Sequence, residues 1–188
     1  YCQHVKKLDY QGEIDFIVQH SPRNKFIRNL AIAQTGNTLI LYNYVEKHGK
    51  PLYAAIDEKL NELPRRTRQL FFVSGSVETD ERERIRAITE KEKDAIIVAS
   101  MGTFSTGINI RNLHNIIFAS PSKSQIRILQ SIGRGLRKSD DGRATKVYDI
   151  ADDLHWKKNR NYTLDHAGER IKLYASEKFN YKIFEVPL

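Results

Sequence analysis

The chain contains a single cysteine, Cys2, among its 188 residues. No internal disulfide framework can form, and a cysteine-rich zinc site is excluded. That usage fits a reducing compartment. No run of about 18 apolar residues occurs, so no membrane-spanning helix is expected. Residues 1–16, YCQHVKKLDYQGEIDF, lack the apolar centre of a secretory leader. A start at Tyr1 rather than Met suggests a fragment or a processed chain. The six histidines, His4, His20, His48, His114, His155 and His166, are scattered without metal-ligand spacing. The acidic pair Asp152 and Asp153 reads as a helix cap in preference to a metal site, and no metal ligand is expected. Neither G-x-x-x-x-G-K-[ST] nor D-E-x-[DH] occurs. The chain therefore lacks a phosphate loop to cradle a polyphosphate and an acidic box to hold magnesium. Internal repeats and low-complexity segments are absent as well.

What remains is a chain that is 40% hydrophobic, enough for a core, with a length that suits one domain and an appendage. The formal net charge of +8 is unevenly spread. Residues 121–160 hold ten Lys/Arg against five Asp/Glu, whereas residues 1–120 hold seventeen against fourteen. Such a basic region is either a set of solvated helical lysines and arginines or an attractor of polyphosphate, ATP or a nucleic-acid backbone.

Apolar runs at 38–42, 69–73, 94–99, 115–119 and 145–150 read as strands. Residues 13–19 form a further short strand candidate. Between them lie helical stretches: one starting at Pro22 with Phe26, Leu30 and Ala33 at helical spacing, and one over 44–63 interrupted near Gly49 and Pro51. Another spans 80–92, capped by Thr79, with residues 81–84 on its exposed side; a fourth spans 123–135. Gly75 and residues 140–142 read as turns. The alternation predicts an α/β fold, a mostly parallel sheet with helices on both faces. Ligands then bind beyond the carboxyl ends of the strands, where Asn43, Gly75, Ser100 and Ser120 share one edge. Residues 155–178 read as a long polar helix offering Trp156, Tyr162, Leu164, Ile171 and Tyr174 for packing, followed by a short strand at 181–186. Trp156 and Tyr162 alternate with Lys157, Lys158 and Arg160, which suits either helix packing or a base-stacking surface.

The most specific segment is 130–137, QSIGRGLR, of the form Q-x-x-G-R-x-x-R. Arg134 and Arg137 lie three residues apart, on one side of a helix. Guanidinium groups stay charged and grip phosphate oxygens in a fork, the chemistry of an arginine finger. A basic solvated helix is the plainer reading. Three more segments accompany it: 38–44 (TLILYNY), 70–76 (LFFVSGS) and 94–110 (DAIIVASMGTFSTGINI). In order and spacing the four resemble motifs IV, IVa, V and VI of the superfamily 2 helicases and translocases. The detailed wording is similar to that of phage recombination and repair DNA helicases. The resemblance covers residues 23–152 and corresponds to the second RecA-like domain of such a motor. Residues 1–22 then read as a linker or strand entering from an N-terminal motor domain, and 153–188 as a C-terminal extension of helix and short strand.

The resemblance implies a role for each matching position. Arg134 and Arg137 act as fingers on the γ-phosphate of ATP bound by the other RecA-like domain. Gly107, Asn109, Gln130 and Gly133 flank the nucleotide. Asn109 replaces the aspartate common in the family and so carries no charge there. Asn43, Gly75, Ser76, Ser100, Gly102 and Thr103 contact the nucleic-acid backbone, although local turn chemistry alone also selects such residues. ATP and Mg2+ are the implied cofactors, held mainly by the first RecA-like domain. DNA, particularly branched DNA, is the implied track, extending to RNA–DNA hybrids. With no targeting signal, the expected location is the cytoplasm of the infected host cell. A non-enzymatic RecA-like nucleic-acid-binding module is the alternative.

Overall fold

The computed structural model describes residues 8–64, 68–74, 78–104, 112–122, 142–155 and 157–188. Among these, five strands form one sheet: β1 (Thr38–Tyr42), β2 (Leu70–Val73), β3 (Ile96–Ser100), β4 (Asn115–Phe118) and β5 (Lys146–Asp149). Their order is β2-β3-β1-β4-β5, and every pairing is parallel. The helices are α1 (Tyr10–Gln19), α2 (Ser21–Ala33), α3 (Lys50–Asn61), α4 (Glu78–Lys91) and α5 (Tyr162–Ser176).

The strands are apolar throughout because both faces are covered. Leu39, Leu41, Ile97, Ala99, Ile116 and Phe118 point to one side, where Ile85 of α4 and Leu173 and Tyr174 of α5 pack. Ile40, Tyr42, Ile96, Val98 and Ile117 point to the other, against Ile27 and Ala31 of α2 and Leu52, Ile56 and Leu60 of α3. Each fully buried aliphatic side chain contributes about 1.5–3 kcal/mol to such a core.

The amino-terminal edge of the sheet is closed by its own polar groups. The buried Arg68 donates to the carbonyls of Ala31, Gln34 and Gly36 at 2.8, 2.8 and 2.9 Å. Asn37 donates to the Glu92 and Asn112 carbonyls and accepts from the Ala95 amide. Gly36 has φ +83°, and a Cβ there would meet the His114 ring at 2.6 Å, so the position requires glycine. That leaves the carboxyl edge for ligands.

Several expectations need correction. Residues 13–19 are helical: Glu13, Ile14, Ile17 and Val18 form the buried stripe of α1, and Asp9 caps it by accepting from the Gly12 amide. In α2 the fully buried residues are Arg23, Ile27 and Ala31; the expected Phe26 and Leu30 are partly buried against the same core, whereas Ala33 is exposed. Helix α4 begins at Glu78, so Thr79 lies inside it, and Glu81 is buried. The C-terminal helix starts at Tyr162, not at 155. Residues 181–186 form no strand; Ile183 and Phe184 are exposed. The expected turn at Gly75, the helix over 123–135 and the turn residues 140 and 141 lie outside the described residues.

The C-terminal helix is docked on the domain. Glu13 of α1 accepts from the Tyr162 and Thr163 amides at 2.9 and 2.8 Å, placing a carboxylate at the helix N-terminus. Asn161 caps the same end through Leu164. Arg170 grips Asp149 of β5 with two hydrogen bonds, at 2.7 and 2.9 Å.

Candidate nucleic-acid interface at the strand ends

The carboxyl ends of β1, β3 and β4 are level. Tyr42 pairs with Ser100 and Leu41 with Phe118, so Asn43 follows level with Met101 and Ser120. Asn43 is exposed at this edge. Its backbone amide donates to the Ser120 hydroxyl at 3.1 Å, and its side-chain amide reaches the Pro121 carbonyl at 3.5 Å.

Behind Asn43 the chain makes a π-helical turn, Val45–Gly49, before α3. The amide of Gly49 reaches back five residues to the Tyr44 carbonyl at 2.8 Å. Pro51 offers no N–H, and its ring needs room at the carbonyl of Lys47, which the wider turn provides. A Cβ on Gly49 would come within 2.6 Å of the Tyr42 ring, so the turn lies directly on that side chain. Burial pushes the Tyr42 phenol up to about 12.

The turn directs His48 into the interior. Its Nδ1 lies 2.9 Å from the Ser120 hydroxyl and its Nε2 lies 3.1 Å from Asn24 Oδ1. Asn24 donates its own Nδ2 to the Val18 carbonyl, so its oxygen is the acceptor facing His48. The network therefore assigns the hydrogen to Nε2, and Nδ1 accepts from Ser120. Burial, reinforced by the nearby Arg23 cation, lowers the His48 pKa to about 3 and keeps the ring neutral.

A second buried group anchors the ends of β4 and β5. The Arg23 Nε donates to both oxygens of Asp152 at 2.8 and 3.0 Å, and Nη1 donates to the Ala119 carbonyl at 2.7 Å. Asp152 is thus an ion-pair partner and not a helix cap, while Asp153 accepts from the His155 amide.

Ser100 does not present a free hydroxyl. It donates to Glu81 of α4 at 3.1 Å, placing a carboxylate where a phosphate donor was expected. Gly102 is exposed in the short 3-10 turn Met101–Phe104, which also contains Thr103. Gly75, Ser76, Gly107, Asn109, Gln130, Gly133, Arg134 and Arg137 lie outside the described residues, as does Trp156. Arg160 stacks over Tyr162, its guanidinium carbon 4.8 Å from the ring centroid, and pairs with Asp165 at 2.7 Å. These contacts favour local packing over base stacking at Tyr162.

The residues that sequence reasoning missed are His48, Glu81, Arg23 and Glu13. All are buried polar groups whose partners are distant in sequence. The only local signal was the Gly49–Pro51 interruption, which marks the π-helical turn.

A profile of the helicase conserved C-terminal domain matches residues 22–139. The chain belongs to this family. Within the helicase family, the ATP-dependent DNA helicase uvsW of Enterobacteria phage T4 is 37% identical over 197 residues, which cover 98% of this chain and 38% of that protein. The putative helicase 22 of a Sulfolobus islandicus filamentous virus is 31% identical over 98 residues, 51% of this chain and 17% of that one. The crystal structure of T4 UvsW matches with a TM-score of 0.73 at 39% identity, over 94% of this chain and 37% of that chain. The C-terminal domain of the DEAD-box protein Dbp5 shares the fold, with a TM-score of 0.57 at 13% identity over 85% of this chain and 82% of that one. The sheet and its flanking helices are therefore the RecA-like fold of a helicase C-terminal domain. This chain spans well under half the length of the T4 relative.

Proposed function

We propose that this helicase C-terminal domain is the second motor half of an ATP-dependent DNA helicase, acting on branched DNA in recombination and repair. The observation that carries the reading is the 37% identity to a DNA helicase across 98% of the chain, together with the retained Q-x-x-G-R-x-x-R segment. ATP, when bound, supplies the γ-phosphoryl group whose transfer to water drives the cycle. Arg134 and Arg137 would stabilise its developing charge, with Gly107, Asn109, Gln130 and Gly133 around the nucleotide. Among the described residues no group of three or more His, Cys, Asp or Glu side chains is placed to hold a metal ion. Mg2+ would be held mainly by the phosphate-loop domain, together with the phosphates of the bound nucleotide.

On the DNA side, Asn43 and Gly102 are exposed at the carboxyl edge of the sheet, and the backbone amides of the turn after β3 are the natural phosphate donors. Gly75, Ser76 and Thr103 would add to the same contact. Because Ser100 already donates to Glu81, its role is to shape the turn. The assignment of residues 23–152 to the motor domain and 153–188 to an extension is part of this proposal.

The test is ATP hydrolysis. The isolated chain is expected to turn over no ATP, with or without DNA, because the phosphate loop is absent from it. Joined to a phosphate-loop domain, it should hydrolyse ATP with stimulation by DNA, and Arg134→Ala should lower the rate by about 10³–10⁵. Turnover by the isolated chain, lost on Arg134→Ala, would refute the half-site reading.

A further inference from the structure

His48 has no part in the reading above, yet it occupies a demanding position. It is fully buried, follows the exposed Asn43 by one π-helical turn, and is held at both ring nitrogens. Filling the space alone would be done at lower desolvation cost by an apolar side chain. A directional polar network instead fixes one arrangement of the groups it joins. The groups joined here are specific. The Ser120 hydroxyl serves the Asn43 backbone amide on one side and His48 Nδ1 on the other. Ser120 also opens the segment that leaves β4 and continues in sequence to Gln130, Arg134 and Arg137. Neither end of this relay is loose. The Arg23 clamp on Ala119 holds the residue before Ser120, and contact of Gly49 with the Tyr42 ring holds the turn carrying His48.

We propose that His48 is a positioning residue of the motor: by accepting the Ser120 hydroxyl it ties the Asn43 end of β1 to the segment leading into the arginines, so that the nucleotide and DNA contacts move as one unit. This inference rests on the motor reading. It places the coupling in the His48–Ser120 hydrogen bond and not in the volume of the imidazole.

The experiment measures DNA-stimulated ATP hydrolysis, against DNA concentration, in the full polypeptide containing the phosphate-loop domain. Ser120→Ala removes one oxygen. His48→Asn keeps an acceptor near the Nδ1 position, whereas His48→Gln reaches only toward Asn24. Ser120→Ala and His48→Gln should lower maximal DNA-stimulated turnover about fivefold or more, with His48→Asn within about twofold of wild type. Thermal unfolding of the same samples separates coupling from folding. If the His48 variants do not fold, Ser120→Ala decides alone. Wild-type stimulation by folded Ser120→Ala, or equal losses in His48→Asn and His48→Gln, would overturn the relay. Absence of DNA stimulation in the wild-type polypeptide would instead overturn the motor reading, and the relay with it.

Discussion

Arg23 and Asp152, 129 residues apart in the chain, form a buried ion pair in which one guanidinium nitrogen bridges both carboxylate oxygens. The pair ties the start of α2 to the segment after β5, and the same arginine holds the Ala119 carbonyl at the end of β4. It therefore fixes the strand ends from which the candidate interface is built.

Breaking one side of this pair leaves a buried guanidinium without its counter-charge. Asp152→Asn is expected to destabilise the domain by about 3–5 kcal/mol, whereas joint replacement of Arg23 and Asp152 by Met and Leu should cost less. Urea unfolding of the two variants checks this. A double variant less stable than Asp152→Asn would contradict the account.

Glu13 caps α5 from another helix, with Thr163 also donating its hydroxyl to the carboxylate at 3.0 Å. Glu13→Gln removes the charge and one acceptor, at an expected cost of about 1–2 kcal/mol. Hydrogen exchange should accelerate first at the amides of residues 162–164. Uniform acceleration across the sheet would instead indicate a global effect.

The pH dependence of stability should carry the signature of His48. Its folded pKa of about 3 lies below the unfolded value of 6.5, so the unfolded chain takes up the proton first as pH falls. Above pH 6.5 both states are neutral at this residue and its contribution is intact. Stability is then lost as pH drops from 6.5 toward 3, by about 1.4 kcal/mol per unit. Between pH 7 and pH 5 the wild-type domain should lose about 2 kcal/mol more than His48→Asn, read from urea midpoints. His20, lowered by burial, adds a loss of the same sign in both proteins.

Arg137→Lys keeps the charge and loses the planar fork. In the full motor, DNA affinity should stay nearly intact while DNA-stimulated hydrolysis falls at least about tenfold. Both quantities measured on one folded variant distinguish a finger from a surface ion pair, whose exchange would move turnover little because such pairs contribute about 0–1 kcal/mol.

The amino-acid sequence by itself determined the α/β class, the parallel sheet and the family. Continuous apolar runs such as TLILY at β1 are legible because both faces of a parallel strand are buried, so nearly every side chain along it must be apolar. The motif segments were equally legible, since each is contiguous. Tertiary structure alone decided α1, where IDFIV suits a strand by composition yet buries Glu13, Ile14, Ile17 and Val18 at helical spacing against its neighbours. It also decided against a strand at 181–186: that segment has strand-like residues, but Ile183 and Phe184 remain exposed. Above all it chose the partners of the buried polar groups. Glu81 was expected in solvent from the charge pattern of α4, and Asp152 was expected at a helix cap. Which carboxylate meets Ser100 and which meets Arg23 depends on where distant elements cross, and no local period in a sequence encodes a contact across 129 residues.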